Sequence, residues 1–398
     1  MLRFLTAGES HGKALVAVLE GIPSGLSLSA RHIDGDLARR QKGYGRGGRM
    51  QIERDTVEIV SGVRNGVTLG SPISLAIKNR DWENWESIMA VERAEMAPDN
   101  PVTCPRPGHA DLVGVMKYGH DDIRNVLERA SARETAARVA CGAVAKRLLA
   151  ELGVKIVSHV VSIGTIRARG FLEGEPREID VIAEAAESSP VRCAHAEASQ
   201  EMVREISAAA ESGDTLGGTV EVIVSGLPPG LGSYAQWDRR LDGKLASAVM
   251  SIPAIKGVGI GLGFAAAALP GSKVHDEIFY DGEIRRRTNN AGGLEGGVTT
   301  GEALVVRAAM KPIATLRRSL DSVDISTMEA RKAHHERSDV CAVPACGVVA
   351  EAVVALELCS AFLEAFGGDT LSRVRGALDR YNSEIRQRFR RRGGTGDG

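Results

Sequence analysis

The chain has 398 residues, with 50 Lys and Arg against 51 Asp and Glu, 43% hydrophobic and 25% charged side chains. Those proportions are ordinary for a globular protein that buries a large core, and they lack the basic excess expected of a nucleic-acid binder. The longest charge-free stretches, Gly257 to Ser272 and Val222 to Trp237, are broken by Gly and Pro and fall short of the roughly 20 apolar residues of a membrane span. Arg3, Glu9 and His11 come too early for a signal peptide. Cys104, Cys141, Cys193, Cys341, Cys346 and Cys359 contain no CxxC pair, which fits buried thiols in a reducing cytoplasm rather than a disulfide scaffold or a zinc site.

In chain order, a short apolar start, Leu2 to Leu5, leads into Gly8-Glu9-Ser10-His11-Gly12. Imidazole titrates near pH 6.5, so a His on a tight turn suits acid–base work. The spacing fails the nucleophile-elbow pattern, and a lone loop His is as often structural. A helix through Ile33, Leu37 and Arg40–Gln41 then enters a segment that places Arg39, Arg40, Lys42, Arg46 and Arg49 around Gly43, Gly45, Gly47 and Gly48. Each like-charge pair costs about 1 kcal/mol in water at 4 Å and roughly 4 at an effective dielectric near 20. Such a cluster repays its repulsion inside a pocket that holds a phosphate or carboxylate. The alternatives are a solvated basic loop or a disordered RNA-binding Gly-Arg segment. Against disorder, a strand-like stretch, Thr56 to Val60, follows, and Tyr44 is the one aromatic residue available for stacking on bases.

Arg106-Pro107-Gly108-His109-Ala110-Asp111 repeats the theme, with Asp111 placed either to orient the imidazole or to begin a turn. His109 and Asp111 lack further ligands at metal spacing, so no metal is expected. Ser131 with Glu134 forms a capping box that predicts a helix from Ser131, carrying Val139, Ala143, Leu148 and Leu152 to a stop at Gly153. Arg129 and Arg133 would then sit one turn apart at a helix start that attracts anions by about 0.3–1 kcal/mol. The alternative is a surface ion-pair ladder from Glu134 to Arg138, which leaves both arginines unpaired.

Strands are expected at Val154 to Ile163, Val220 to Val224 and Ala303 to Arg307. Helices are expected over Leu241 to Ile252 and along Val349, Val353, Leu356, Ser360 and Leu363 to Gly367–Gly368. The irregular order of strands and helices favours antiparallel α+β over a doubly wound sheet. No dinucleotide fingerprint or P-loop is present; Gly257, Gly259, Gly261 and Gly263 suit a close-packed backbone. Lys311-Pro312-Ile313-Ala314-Thr315 ends a strand, Arg337-Ser338-Asp339 precedes the last long helix, and His334 and His335 face solvent in a polar run. Residues 381–398, rich in Arg and Gly, read as a disordered tail. The residues alone thus predict an enzyme whose arginine-lined pocket, two histidines and carboxylate act on a small phosphate ester.

The strings GESHG (Gly8–Gly12), RRQKGYGRGGRM (Arg39–Met50), RPGHADLVGVMKY (Arg106–Tyr118), RASARETAARVA (Arg129–Ala140), GGLEGG (Gly292–Gly297), RAAMKPIAT (Arg307–Thr315) and RSDVCAVPA (Arg337–Ala345) together resemble chorismate synthase. The resemblance implies a β-α-β sandwich, a helical layer between antiparallel sheets, in one catalytic domain over residues 1–380, assembled as a homotetramer. It implies a carbon–oxygen lyase of the shikimate pathway to aromatic amino acids. The reaction is an anti 1,4-elimination converting 5-enolpyruvylshikimate 3-phosphate to chorismate, with reduced FMN and no net redox change. NADPH or a separate flavin reductase would keep the flavin reduced. By the same resemblance His11, His109 and Asp339 are catalytic. Ser10, Arg49 and Arg133 bind substrate. Arg129, Ala130, Ser131, Pro253, Ala254, Gly296, Lys311, Pro312, Ile313, Ala314, Thr315 and Arg337 line the flavin pocket. Arg40 and Arg46 contact either NADPH or substrate. Pro253 stands where relatives have Asn or Gln, Gly259 and Leu262 where they have acidic residues, and Ser338 where they have His.

Overall fold

Buried and exposed side chains alternate along two strands near the N-terminus, with Leu15, Ala17 and Leu19 buried on one and Ile73, Leu75 and Ile77 on the other. That period of two fixes one face of a sheet against the core. The computed structural model describes residues 2–47, 54–92, 101–174, 177–334 and 339–389. Its first sheet contains β1 (Arg3–Ala7), β2 (Ala14–Glu20), β3 (Val57–Ile59) and β4 (Ile73–Lys78), in the order β1-β2-β4-β3 with every pair antiparallel.

The helices in chain order are α1 (Ala30–Gln41), α2 (Asp111–Tyr118), α3 (Arg124–Ala130), α4 (Thr135–Glu151), α5 (Ile179–Ser188), α6 (Ala196–Ser212), α7 (Leu241–Met250), α8 (Val343–Phe366) and α9 (Leu371–Arg388). A second antiparallel sheet is built from β5 (Lys155–Ile163), β6 (Ile166–Arg167), β7 (Gly218–Ser225), β8 (Ile255–Ile260) and β9 (Leu304–Met310), ordered β8-β9-β7-β5-β6. Helix α4 packs on β2 and β4, α8 packs on β5 and β7, and the two helices pack on each other, with α1 and α7 beside them. The fold is therefore α+β, a helical layer between two antiparallel sheets.

Helix α8 is apolar around almost its whole circumference, as a helix enclosed by protein must be. It is long and apolar enough to cross a membrane, but 83% of its most apolar window is buried inside the protein. Its approach to α4 depends on Gly142, where an added Cβ would collide with the Cβ, Cα and carbonyl oxygen of Ala352. In an exposed helix Gly→Ala stabilises by roughly 1 kcal/mol. Here Gly142→Ala is expected to destabilise by about 1–3 kcal/mol, because the backbone of α8 must move. Urea unfolding monitored by circular dichroism would show that reversal of sign.

One carboxylate lies inside this layer. Glu351 of α8 is fully buried and accepts from Arg39 at 2.7 and 2.8 Å, from Lys146 at 2.8 Å and from Ser158 Oγ at 2.7 Å. Burial pushes its carboxyl up, but Lys146, Arg39 and Arg192 outweigh that and hold it well below the usual carboxylate range. The network ties α1, α4 and β5 to α8.

Two sequence expectations change. The regular helix begins at Thr135 rather than Ser131, because α3 ends immediately before and Ser131 caps a short 3-10 turn, Ala132–Glu134, in which its side chain accepts from the Arg133 N–H. The tail expected to be disordered from residue 381 is helical through Arg388. Leu371, Val374 and Leu378 bury one stripe of α9, and Tyr381 donates to the Pro229 carbonyl at 2.9 Å and packs edge-on against Phe366. Residues 390–398 lie outside the described residues.

Candidate active site

The turn between β1 and β2 starts at Gly8, whose φ of 105° and contact with the Ala14 carbonyl exclude a side chain. Asn79, just past β4, donates from Nδ2 to the carbonyls of Glu9 at 3.2 Å and Gly12 at 2.6 Å, and so clamps the turn. On it, Ser10 donates its N–H to the Glu128 carbonyl at 3.0 Å, and its hydroxyl lies 3.2 Å from that of Ser131. His11 donates its backbone N–H to Glu128 Oε2 at 2.7 Å, and its Nδ1 meets Oε1 at 2.8 Å. The ring stacks on Trp85 with centroids 3.8 Å apart. Nδ1 is thus committed to Glu128, and Nε2 is the ring nitrogen left for a ligand.

The arginines form an ordered layer beside this turn. Arg133 is only 5% exposed and donates to both oxygens of Asp55, at 2.6 and 2.7 Å, and to Asn79 Oδ1 at 3.0 and 2.9 Å. Arg40, also 5% exposed, donates to Thr135 Oγ1 at 3.0 Å and the Ala132 carbonyl at 2.9 Å, and lies 3.7 Å from Asp55. Burial, aided by Arg46 and Arg133 and opposed by Asp55, lowers its pKa to about 10. Arg46 pairs with Asp339 at 3.0 Å, and Asp339 also accepts from the Gly47 N–H at 2.7 Å. Arg46 and Gly47 of the Gly-Arg segment are therefore held by specific partners, which discounts both the solvated-loop and the disordered RNA-binding alternatives for that part.

The second histidine sits at the mouth of α2. His109 Nδ1 contacts Asp111 Oδ1 at 2.5 Å, and Asp111 both orients the imidazole and opens the helix. Arg106 grips the same carboxylate through Nε at 2.8 Å and NH2 at 3.1 Å, and donates from NH1 to Thr315 Oγ1 at 3.1 Å. Burial raises the Asp111 carboxyl, but His109 and Arg106 win and hold it well below the usual range. Lys311 donates through Nζ to the Gly108 carbonyl and through its N–H to the Ala254 carbonyl at 2.9 Å. Thr215 donates to the Ile313 carbonyl at 2.8 Å.

The two histidine clusters are physically joined. Helix α2, which follows His109, packs on α3, which carries Glu128, with Gly114 against Val126. On the other side the backbone runs from Ile313 through Thr215 and Leu216 to Val340 and Gly45, next to the Arg46–Asp339 pair. Packing and backbone hydrogen bonds thus link residues about three hundred positions apart.

Several expectations about individual residues change. Arg129 and Arg133 do not lie one turn apart on one helix, because Ser131 is extended (φ −63°, ψ 141°) and breaks the chain between them. Nor are they unpaired: Arg129 holds the Thr6 and Gly8 carbonyls at 3.0 and 3.2 Å, while Glu134 and Arg138 do form their i,i+4 pair at 2.9 Å. Ala130 ends α3, and Ala254, after Pro253, adopts a left-handed φ of 71° beside Lys311. Pro312 lies between Lys311 and Ile313 in that strip, and Ala314 is the near neighbour of Gly108. Gly296 lies on the hairpin Leu294–Glu295 and Val298–Thr299, near Tyr234. Arg49 and Arg337 lie outside the described residues. Glu128, Asp55, Asn79 and Trp85 escaped the sequence reading; each acts through a contact distant in sequence, and no local spacing marks it.

A cationic layer beside two carboxylate-held imidazoles defines an enzyme built to hold and react a small polyanion. The chorismate synthase family model matches residues 2–363. A Bacillus cereus protein named chorismate synthase 2 is 57% identical over 392 residues, covering 97% of this chain and all of that protein. The chorismate synthase of Geobacillus thermodenitrificans is 56% identical over 390 residues, covering 97% of this chain and all of its own length. A crystal structure of chorismate synthase superposes with a TM-score of 0.78 at 45% identity, covering 97% of this chain and 98% of that one. The chain belongs to the chorismate synthase family. It is a carbon–oxygen lyase of aromatic biosynthesis acting on a small molecule.

Proposed function

We propose that the chain removes phosphate and a ring hydrogen from 5-enolpyruvylshikimate 3-phosphate by anti 1,4-elimination, giving chorismate with no net redox change. The observation that carries this reading is the convergence of His11, Arg133, Arg46 and Asp339 with the His109 cluster through α3 and the Gly45–Val340 strip. The substrate carries one phosphate and two carboxylates, and the arginine layer supplies matching charge. Ser10, Arg133 and Arg49 bind it. His11 gives the proton on Nε2 to the departing phosphate as the ring C–O bond breaks, and the bond pair leaves with the phosphate oxygen. Trp85, stacked on the imidazole, fixes its plane during that transfer.

The residues fit reduced FMN. Lys311 through Thr315 run beside Ala254 and Gly108, and Lys311 and Arg129 supply cations for its phosphate. The flavin pocket would comprise Arg129–Ser131, Pro253–Ala254, Gly296, Lys311–Thr315 and Arg337. When bound, reduced FMN supplies transient electron density and accepts the hydrogen lost from ring carbon 6, which no side-chain base is strong enough to remove. His109 holds a proton at Nε2 for the flavin edge, with Asp111 fixing the ring. Asp339 keeps Arg46 in place and offers a carboxylate oxygen for proton transfer.

NADPH or a separate reductase would keep the flavin reduced. Arg40 and Arg46 would contact either NADPH or substrate; Arg40 is enclosed by Thr135, Ala132 and Asp55, and Arg46 is paired with Asp339. A homotetramer agrees with the outer face of the first sheet, where Leu5 is 78% and Val16 and Val18 each 39% exposed. The six free cysteines fit the cytoplasm; burial pushes Cys141, Cys346 and Cys359 up to about 12, which keeps them inert. The reaction is tested anaerobically with the phosphorylated substrate and either oxidised or chemically reduced FMN. Phosphate and chorismate should appear together, and only with reduced flavin; equal phosphate release in both would overturn the reading.

A further inference from the structure

Asn79 is buried just past β4 and uses every hydrogen-bonding position of its side chain. Nδ2 donates to the Gly12 carbonyl at 2.6 Å and the Glu9 carbonyl at 3.2 Å, while Oδ1 accepts from Arg133 Nε at 3.0 Å and NH2 at 2.9 Å. These partners fix which end of the amide is which, since carbonyls need a donor and a guanidinium needs an acceptor. The main chain of Asn79 adds two ties. Its N–H donates to the Lys13 carbonyl at 3.3 Å, and its carbonyl accepts from the Trp82 N–H at 3.3 Å, opening the turn that brings Trp85 onto the His11 ring. One residue thus fastens the histidine turn, the stacked indole and the arginine layer.

We infer that Asn79 is a positioning residue whose amide sets the separation between the Arg133 guanidinium and the His11 imidazole. The other hold on the turn comes from α3, where Glu128 accepts from the N–H groups of Ser10 and His11. Asp55 likewise holds Arg133 through NH1. Each of these partners secures one component, whereas Asn79 joins the two through a single rigid amide. Only a side chain with a donor and an acceptor at one branch point serves both arms. A carboxylate in its place keeps the bonds from Arg133 but faces two carbonyl oxygens; an alkyl group leaves both sides unsatisfied. The catalytic part of the inference rests on the proposed roles of His11 and Arg133; the fastening does not.

Asn79→Asp separates the arms, because it spares the bonds from Arg133 and removes those to the turn. It should lower kcat about 10–100-fold, the cost of an ångström-scale misplacement, with KM within about threefold of wild type. Asn79→Ala removes both arms and should also raise KM, by about three- to tenfold. In a His11→Ala background Asn79→Asp should lower kcat less than about threefold, since the imidazole it places is gone. A residue that merely supports the fold would cost the same in both backgrounds. Where His11→Ala shows its own loss of tenfold or more, equal costs would overturn the inference. Hydrogen exchange read by mass spectrometry needs no turnover. The peptide spanning Ser10 to Gly12 should exchange about tenfold faster in Asn79→Asp, with the peptide around Arg133 at its wild-type rate. Unchanged exchange at the turn would sink the fastening. Faster exchange beside a His11→Ala loss below tenfold would uphold the fastening and remove His11 from the role of acid. Failure of both Asn79 variants to fold would make the amide a structural requirement and overturn the positioning role.

Discussion

His11→Ala and His109→Ala are each expected to lower turnover by about 10²–10⁴-fold, the usual range for a positioned general acid or base. The geometry says why the loss should fall on kcat more than on KM. In the proposed reading substrate charge is met by the arginine layer, in which Arg133 is fixed by Asp55 and Asn79 and does not depend on either imidazole. Each histidine instead presents Nε2 at a carboxylate-fixed angle, a contribution realised as protons move. Steady-state assays with saturating reduced FMN separate the two parameters. A loss below tenfold at both positions would refute the assigned roles.

Glu351→Ala should cost about 3–5 kcal/mol of stability, the largest structural effect foreseen for a single substitution. The cost arises less from the lost contacts than from the charges left behind, since Arg39, Lys146 and Arg192 would be left with only the carboxylates of Asp36 and Glu187 between them. Glu351→Gln keeps the shape and should be destabilised too, which separates charge from volume. The pH dependence has a definite sign. The folded carboxyl lies well below the ordinary glutamate value near 4.3, so its contribution is complete above that pH. It is lost only as acid carries the protein down toward the depressed folded value. Thermal melts of wild type and Glu351→Gln should differ most at neutral pH and converge below about pH 4. A gap that stays constant into acid would show that Glu351 is not held as a charged partner.

Much of the architecture is legible in the sequence because its signals are local. Alternation at Val154 to Ile163 and the stripe from Val349 to Leu363 mark β5 and α8 within a few residues. His11, His109 and Arg133 stand out through their glycine- and arginine-rich surroundings. The partners that tune them do not. Glu128 looks like any helical glutamate, and Asp55 and Asn79 are single polar residues flanking short strands. Their roles exist only once β4, α1 and α3 are brought together. Ser131 reads as the start of a long helix because a capping pattern does not reveal that another helix ends just before the same residue. The chain from residue 381 reads as a tail because its arginines conceal the Leu371, Val374 and Leu378 stripe and the Tyr381 anchor.

A structure of the enzyme with the phosphorylated substrate and FMN bound is the most direct trial of the assembled site. The ester phosphate should lie about 3 Å from His11 Nε2, with Arg133 and Arg46 on the substrate's anions and His109 at the flavin edge. Substrate seated away from His11, or flavin bound remote from Lys311 to Thr315 and His109, would contradict the account.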